Sequence, residues 1–91
     1  MDFKEIMEKT VNYQPDRDIL YFTCALAGET GEYCNFIKKM VRDGADKVDI
    51  TKVGYELADV IAYTILNARV LGIDLETAII EKNKIVTNRH T

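Results

Sequence analysis

Two acidic pairs most constrain what this chain can fold into. Glu29 and Glu32 lie three residues apart in Gly28-Glu29-Thr30-Gly31-Glu32, and Glu56 and Asp59 repeat the spacing in Glu56-Leu57-Ala58-Asp59. Both pairs sit inside apolar runs of helical period, and residues three apart share one face of a helix. Glu32 precedes Gly44 by 12 residues and Glu56 follows it by 12, while Glu29 and Asp59 each lie 15 away. A turn at Arg42-Asp43-Gly44-Ala45-Asp46 therefore predicts an antiparallel helical hairpin in which Glu29 faces Asp59 and Glu32 faces Glu56. Up to four negative charges then crowd one small volume, which is costly in a partly buried site unless a cation fills it. Hard carboxylate oxygens of this kind suit Mg²⁺ or Mn²⁺.

The remaining elements follow from periodicity and punctuation. Phe3, Ile6, Met7 and Val11 mark the stripe of a short first helix, which Pro15 ends by barring helical geometry from the residue before it. Asp16 or Asp18 caps a second helix running from about Arg17 or Asp18 to about Val41 or Arg42. Its apolar face comprises Ile19, Leu20, Phe22, Leu26, Tyr33, Phe36, Ile37, Met40 and Val41. Asp43 to Asp49 is a polar connection. A third helix spans about Ile50 to Leu71, with Leu57, Val60, Ile61, Ile65, Leu66 and Leu71 as its core and Gly72 as its stop. Asp74 caps a fourth, striped by Leu75, Ala78, Ile79, Ile85 and Val86 and ending near Arg89. The expected architecture is all-α: one domain over residues 1–91, with a long helical hairpin and the first and last helices packed beside it. The third helix is apolar around most of its circumference, more than three other helices can cover, so an obligate dimer or larger assembly is expected.

Each glycine inside a helix costs about 1 kcal/mol relative to alanine, so Gly28 and Gly31 need a reason. Close packing against another helix is one; room beside the carboxylates for a metal and its ligand is the other, and the two are compatible.

Several functions are disfavoured. No apolar run approaches the roughly 20 residues that span a bilayer. The start, Met1-Asp2-Phe3-Lys4-Glu5, lacks the pattern of a signal peptide, so a cytoplasmic location is expected. The net charge of −3 and the lack of a basic, aromatic-interleaved patch argue against nucleic-acid binding. Cys24 and Cys34 are ten positions apart on one helix, roughly 15 Å along its axis, too far for a disulfide. They read as small buried or half-buried thiols. His90 is the only histidine and is expected to be solvated, and a carboxylate-bridged di-iron bundle would need Glu-x-x-His pairs.

Ala27-Gly28-Glu29-Thr30-Gly31-Glu32-Tyr33, followed by Glu56-Leu57-Ala58-Asp59-Val60-Ile61-Ala62-Tyr63, resembles the ExxE…ExxD signature of the MazG-like, all-α nucleoside triphosphate pyrophosphohydrolases. The resemblance extends from about Tyr13 to Arg89. It implies that Glu29, Glu32, Glu56 and Asp59 ligate Mg²⁺, which grips the phosphates of a nucleoside triphosphate. Water then attacks the α-phosphorus, giving the monophosphate and pyrophosphate, with Glu32 or Glu29 as the catalytic group that orients or deprotonates it. It further implies base or sugar contacts from Tyr63 and from Tyr13 with Gln14, and nucleotide contacts from Lys84 and Asn88 in Lys84-Ile85-Val86-Thr87-Asn88-Arg89. The family's frequent Tyr-Pro continuation is replaced here by His90-Thr91. Lys38 and Lys39 follow Glu32 by one to two turns and are candidates for phosphate contact, with a solvated face the competing reading for at least one.

The implied role is cleaning of the nucleotide pool, and the apolar third helix makes a homodimer or dimer of dimers the expected assembly. Two other readings compete. A phosphoribosyl-ATP pyrophosphatase has a similar helix pair but usually a Tyr-His where this chain has Tyr63-Thr64. A helical dimerisation or regulatory module would keep the acids without turnover.

Overall fold

The computed structural model describes residues 1–10 and 17–90, the side chain of His90 excepted. Tyr13, Gln14, Pro15 and Asp16 thus lie outside the described residues, as do Val11 and the expected solvation of His90. Among the described residues the chain is all-helical: α1 is Phe3–Lys9, α2 Ile19–Asp43, α3 Ile50–Leu71 and α4 Leu75–His90, with a 3₁₀ turn at Ala45–Lys47 joining α2 to α3.

All four helices start on an aspartate. The carboxylates of Asp2, Asp18, Asp49 and Asp74 accept from the backbone N–H groups of Glu5, Tyr21, Thr51 and Thr77 at 2.9–3.2 Å. Each such cap satisfies an amide that has no partner inside the helix and contributes about 1 kcal/mol. The ends are set by glycine. Gly44 closes α2 at φ 106°, and a Cβ there would stand 2.8 Å from Asp46 Oδ1, so only glycine fits the turn. Gly72 ends α3 in the left-handed conformation at φ 69°, its N–H donating to the carbonyls of Ala68 and Arg69.

The hairpin of α2 and α3 is the centre of the molecule. Phe22, Val53, Ile65, Leu66 and Ala68 are buried, with Phe22 only 1% exposed. One amide bridges the two helices: Asn67 Nδ2 donates to the Phe22 carbonyl at 2.9 Å and to the Tyr63 carbonyl at 2.6 Å, while Thr23 Oγ1 donates to Asn67 Oδ1 at 3.0 Å. α1 is held across α3 by Arg69, whose guanidinium donates to the carbonyls of Met7 and Thr10 at the helix's C-terminal end. A cleft of about 220 Å³ lies beneath α1, lined by Met7, Ile65, Ala68, Ile73 and Leu75 among others; none of the four acids lines it.

Several sequence expectations of burial fail. Leu57, Ile61 and Leu71 of the supposed α3 core are 43–57% exposed, and Leu20 and Val41 of α2 are 67% and 82% exposed. The sulfurs of Cys24 and Cys34 were expected to be buried or half-buried, but both residues are exposed and free. Among the described residues of the last helix, Leu75 and Glu76 are half-buried and residues 77–89 are exposed, including Ala78, Ile79, Ile85 and Val86 of its stripe. The common cause is that periodicity fixes which residues share a face but not whether this chain covers that face. The cost appears in the dimensions. The radius of gyration is 15.6 Å, against about 12 Å for a compact chain of this length. The accessible surface is 6828 Å², some 1,400 Å² more than the ~5,400 Å² of a compact monomer of this mass.

Asn67→Ala removes the polar bridge of the hairpin, and we expect it to destabilise the fold by about 1–3 kcal/mol in urea unfolding at matched protein concentration. An unchanged midpoint would show that the bridge contributes nothing.

Candidate metal centre

The site is assembled midway along the hairpin. α2 continues without a break through Gly28 and Gly31, putting Glu29 and Glu32 on one face, and the antiparallel run of α3 returns Glu56 and Asp59 opposite them. Carboxylate oxygens of Glu29, Glu32 and Glu56 all lie within 4.8 Å of one another. Glu29 and Glu56 are half-buried and Glu32 is exposed. Asp59 stands beside this trio, exposed, and its charge acts on both Glu29 and Glu56.

The electrostatics are those of an uncompensated acidic cluster. Burial, the larger cause, holds the Glu29 carboxyl above the ordinary glutamate range, and the charges of Glu32, Asp59 and Glu56 add to the shift. Glu56 is raised in the same way, by desolvation first and then by a hydrogen bond and charge from Glu32 and the charge of Asp59. Glu32 is thus within hydrogen-bonding reach of both neighbours. A cation bound among the three would offset the mutual charges that help to raise Glu29 and Glu56. Glu29 Oε2 and Glu56 Oε2 are buried with no hydrogen-bond partner. Buried oxygens in that state are rare and costly. Three clustered carboxylates, two of which carry a buried oxygen without a partner, fit a hard divalent cation.

The glycines resolve one ambiguity. A Cβ added at Gly28 or Gly31 would meet nothing within 4 Å, so close packing within the chain is not what requires glycine there. The two positions leave open space on the helix that carries Glu29 and Glu32.

Tyr63, one turn beyond Asp59 on α3, is half-buried, and its phenol is held above the usual range by burial, then by Tyr21, Glu29 and Asp59. It therefore adjoins the acids. Lys38 is exposed; Lys39, also exposed, places its ammonium 5.8 Å from the ring centre of Phe36. Lys84 and Asn88 are exposed on α4, and the charges that act most on Glu29 and Glu56 are all acidic. The chain's own lysines thus do not offset the cluster. Three residues near the site escaped sequence reasoning: Tyr21, whose hydroxyl acts on that of Tyr63; Arg17, whose guanidinium lies 5.1 Å from the Tyr21 ring centre; and Asn67. Tyr21 precedes Glu29 by two turns, and Asn67 is a lone amide among Ile65, Leu66 and Ala68; both spacings were available signals.

The model of the MazG nucleotide pyrophosphohydrolase domain matches residues 19–91, which includes the whole hairpin and α4. The chain belongs to the MazG family. That family consists of nucleotide pyrophosphohydrolases, hydrolases that act on acid anhydrides, and its domain is all-α, as this chain is among the described residues. No curated protein and no solved structure matches the chain.

A glutamate whose folded pKa is raised contributes its stabilisation fully below its unfolded value, 4.5 for Glu56, and loses it as the pH climbs through the raised value. Glu56→Gln abolishes that titration. In metal-free buffer its melting temperature should therefore gain on that of the unmodified protein as the pH goes from about 5 to about 7.5. A difference independent of pH would contradict a raised Glu56.

Proposed function

We propose that this MazG-family chain hydrolyses a nucleoside or deoxynucleoside triphosphate to the monophosphate and pyrophosphate with Mg²⁺, or Mn²⁺ in its place, as part of nucleotide-pool cleaning. The observation that carries this reading is the trio of carboxylates within 4.8 Å, two of whose buried oxygens have no partner. An acidic protein that brings no cation of its own to such a cluster repels a triphosphate. Mg²⁺ bound there supplies charge neutralisation on the phosphate oxygens and a more acidic water.

The chain's own groups do the rest. Glu29, Glu56 and Asp59 hold the acid face in place on two rigid helices. Glu32, the exposed member of the trio, orients the attacking water and takes its proton. The oxygen of that water bonds to the α-phosphorus, and the bridging bond to the β-phosphate breaks with pyrophosphate leaving. Positioning and neutralisation account for most of the barrier lowering in such transfers. Tyr63, which adjoins the acids, makes the sugar or base contact that the resemblance assigns. Lys38, Lys84 and Asn88 are the phosphate and nucleotide contacts that the resemblance assigns; the α4 pair reaches the site only if a second copy or closure of α4 brings it there. Tyr13 completes the assigned set.

We further propose that the active species is a homodimer or dimer of dimers. The surplus of some 1,400 Å² over a compact monomer is of the size that each partner buries in an obligate interface. The apolar groups that supply it include Leu57 and Ile61 on α3 and Ile79, Ile80, Ile85 and Val86 on α4. A cytoplasmic setting suits the two exposed free thiols. Among the described residues no helix is long and apolar enough to cross a membrane.

Pyrophosphate release from the eight common nucleoside triphosphates with Mg²⁺ tests the activity. Glu32→Gln should lower turnover of the best substrate by about a hundredfold or more, while its metal-free melting temperature stays at or above that of the unmodified protein. Near-normal turnover in the variant would remove Glu32 from the mechanism. Sedimentation equilibrium should give two or four chains per particle at micromolar concentration; a monomer would overturn the proposed assembly.

A further inference from the structure

We propose that Tyr21 is a specificity-determining residue that, together with Tyr63, contacts the nucleoside end of the substrate rather than its phosphates. The inference rests on the pyrophosphohydrolase reading above and extends it to a residue that neither the acidic signature nor the spacing of its partners designates.

The placement comes from the hairpin. Tyr63 follows Asp59 by one turn, roughly 6 Å along α3, and Tyr21 precedes Glu29 by two turns, roughly 12 Å along α2. Both displacements run toward the same end of the antiparallel pair, so the two tyrosines stand side by side beyond the acids. There the Asn67 bridge to the carbonyls of Phe22 and Tyr63 fixes the helices against each other. A triphosphate anchored at the acids extends its sugar and base over about that distance. The opposite direction, toward Gly44, leads past the half-buried Tyr33 and Phe36 and the exposed Lys38 and Lys39, with the Lys39 ammonium over the Phe36 ring, to the turn.

The pair is also held still. Arg17 lies over one face of the Tyr21 ring, 5.1 Å from its centre, and the Phe22 ring meets it edge-on at 5.5 Å and 79°. The hydroxyl of Tyr21 acts on that of Tyr63, which places the two phenols beside each other, and both residues are half-buried. Each phenol carries one O–H and lone pairs, so the pair can offer a ligand both a donor and acceptors. One donor beside acceptors on a fixed aromatic wall suits a ribose hydroxyl or a base edge. A bare polyphosphate has neither a ring to lie on that wall nor a reason to reach it.

Binding to the full-length chain, measured by calorimetry in Mg²⁺, separates the two ends of the site. The probes are the α,β-methylene analogues of ATP, GTP, CTP, UTP and thymidine triphosphate, and inorganic tripolyphosphate. Tyr21→Phe keeps the ring that Arg17 covers and removes only the hydroxyl. It is expected to weaken the tightest analogue by roughly three- to tenfold, the factor of one lost hydrogen bond, and to leave tripolyphosphate within about twofold. Equal weakening of both probes would mean that Tyr21 acts only through the fold, and no change in either would mean that it is not used; each overturns the proposal. Tripolyphosphate binding as tightly as every analogue to the unmodified protein would overturn it while leaving the acid-bound metal standing. Failure of the unmodified protein to bind any probe would overturn it together with the functional reading on which it rests.

Discussion

Repulsion among carboxylates held close by a rigid pair of helices is the constraint on which this structure turns. Nothing in α2 or α3 requires Glu29, Glu32 and Glu56 to meet for the sake of stability; burial first and their mutual charge second hold Glu29 and Glu56 above the ordinary glutamate range, and each has one buried oxygen left without a partner. Replacing them by neutral groups would relieve the strain. The arrangement makes sense as a site whose unfavourable term is cancelled by a bound cation, the usual exchange of stability for function. The aspartate caps, the buried Phe22 and the Asn67 bridge offset its cost by holding the hairpin in register.

Much of this was legible in the sequence because the deciding signals are local. An aspartate before an apolar helical run and a glycine after it are read by the backbone itself. Hence the observed bounds of α3 coincide with the expected ones, and those of α2 differ by a residue or two. The convergence of the acid pairs followed from arithmetic about Gly44, which a straight antiparallel pair must obey. Asp59 is the partial exception: it bears on the cluster through its charge and stands outside the trio of closely spaced oxygens.

What the sequence did not disclose depends on tertiary neighbours. Leu57, Ile61, Ile79 and Ile85 carry the correct period for burial, but a single copy of this chain has no helix left to lay against them. Cys24 and Cys34 were assigned inward on the average habit of cysteine, and the face they occupy happens to be uncovered. Tyr21 was given no role in the sequence reading, because its link to Tyr63 exists only across the hairpin. The match of the MazG nucleotide pyrophosphohydrolase domain to residues 19–91 covers the hairpin and α4, the same elements that bear both the site and the uncovered faces.

The central claim is that these acids together clasp one or two divalent ions. Anomalous diffraction from crystals of the chain grown with Mn²⁺ addresses it directly. The account predicts a manganese peak between α2 and α3 within about 2.3 Å of oxygens from Glu29, Glu32 and Glu56, with Asp59 bound directly or through water. A peak elsewhere, or Glu29 and Glu32 turned away from Glu56 with no metal between them at millimolar Mn²⁺, would contradict it.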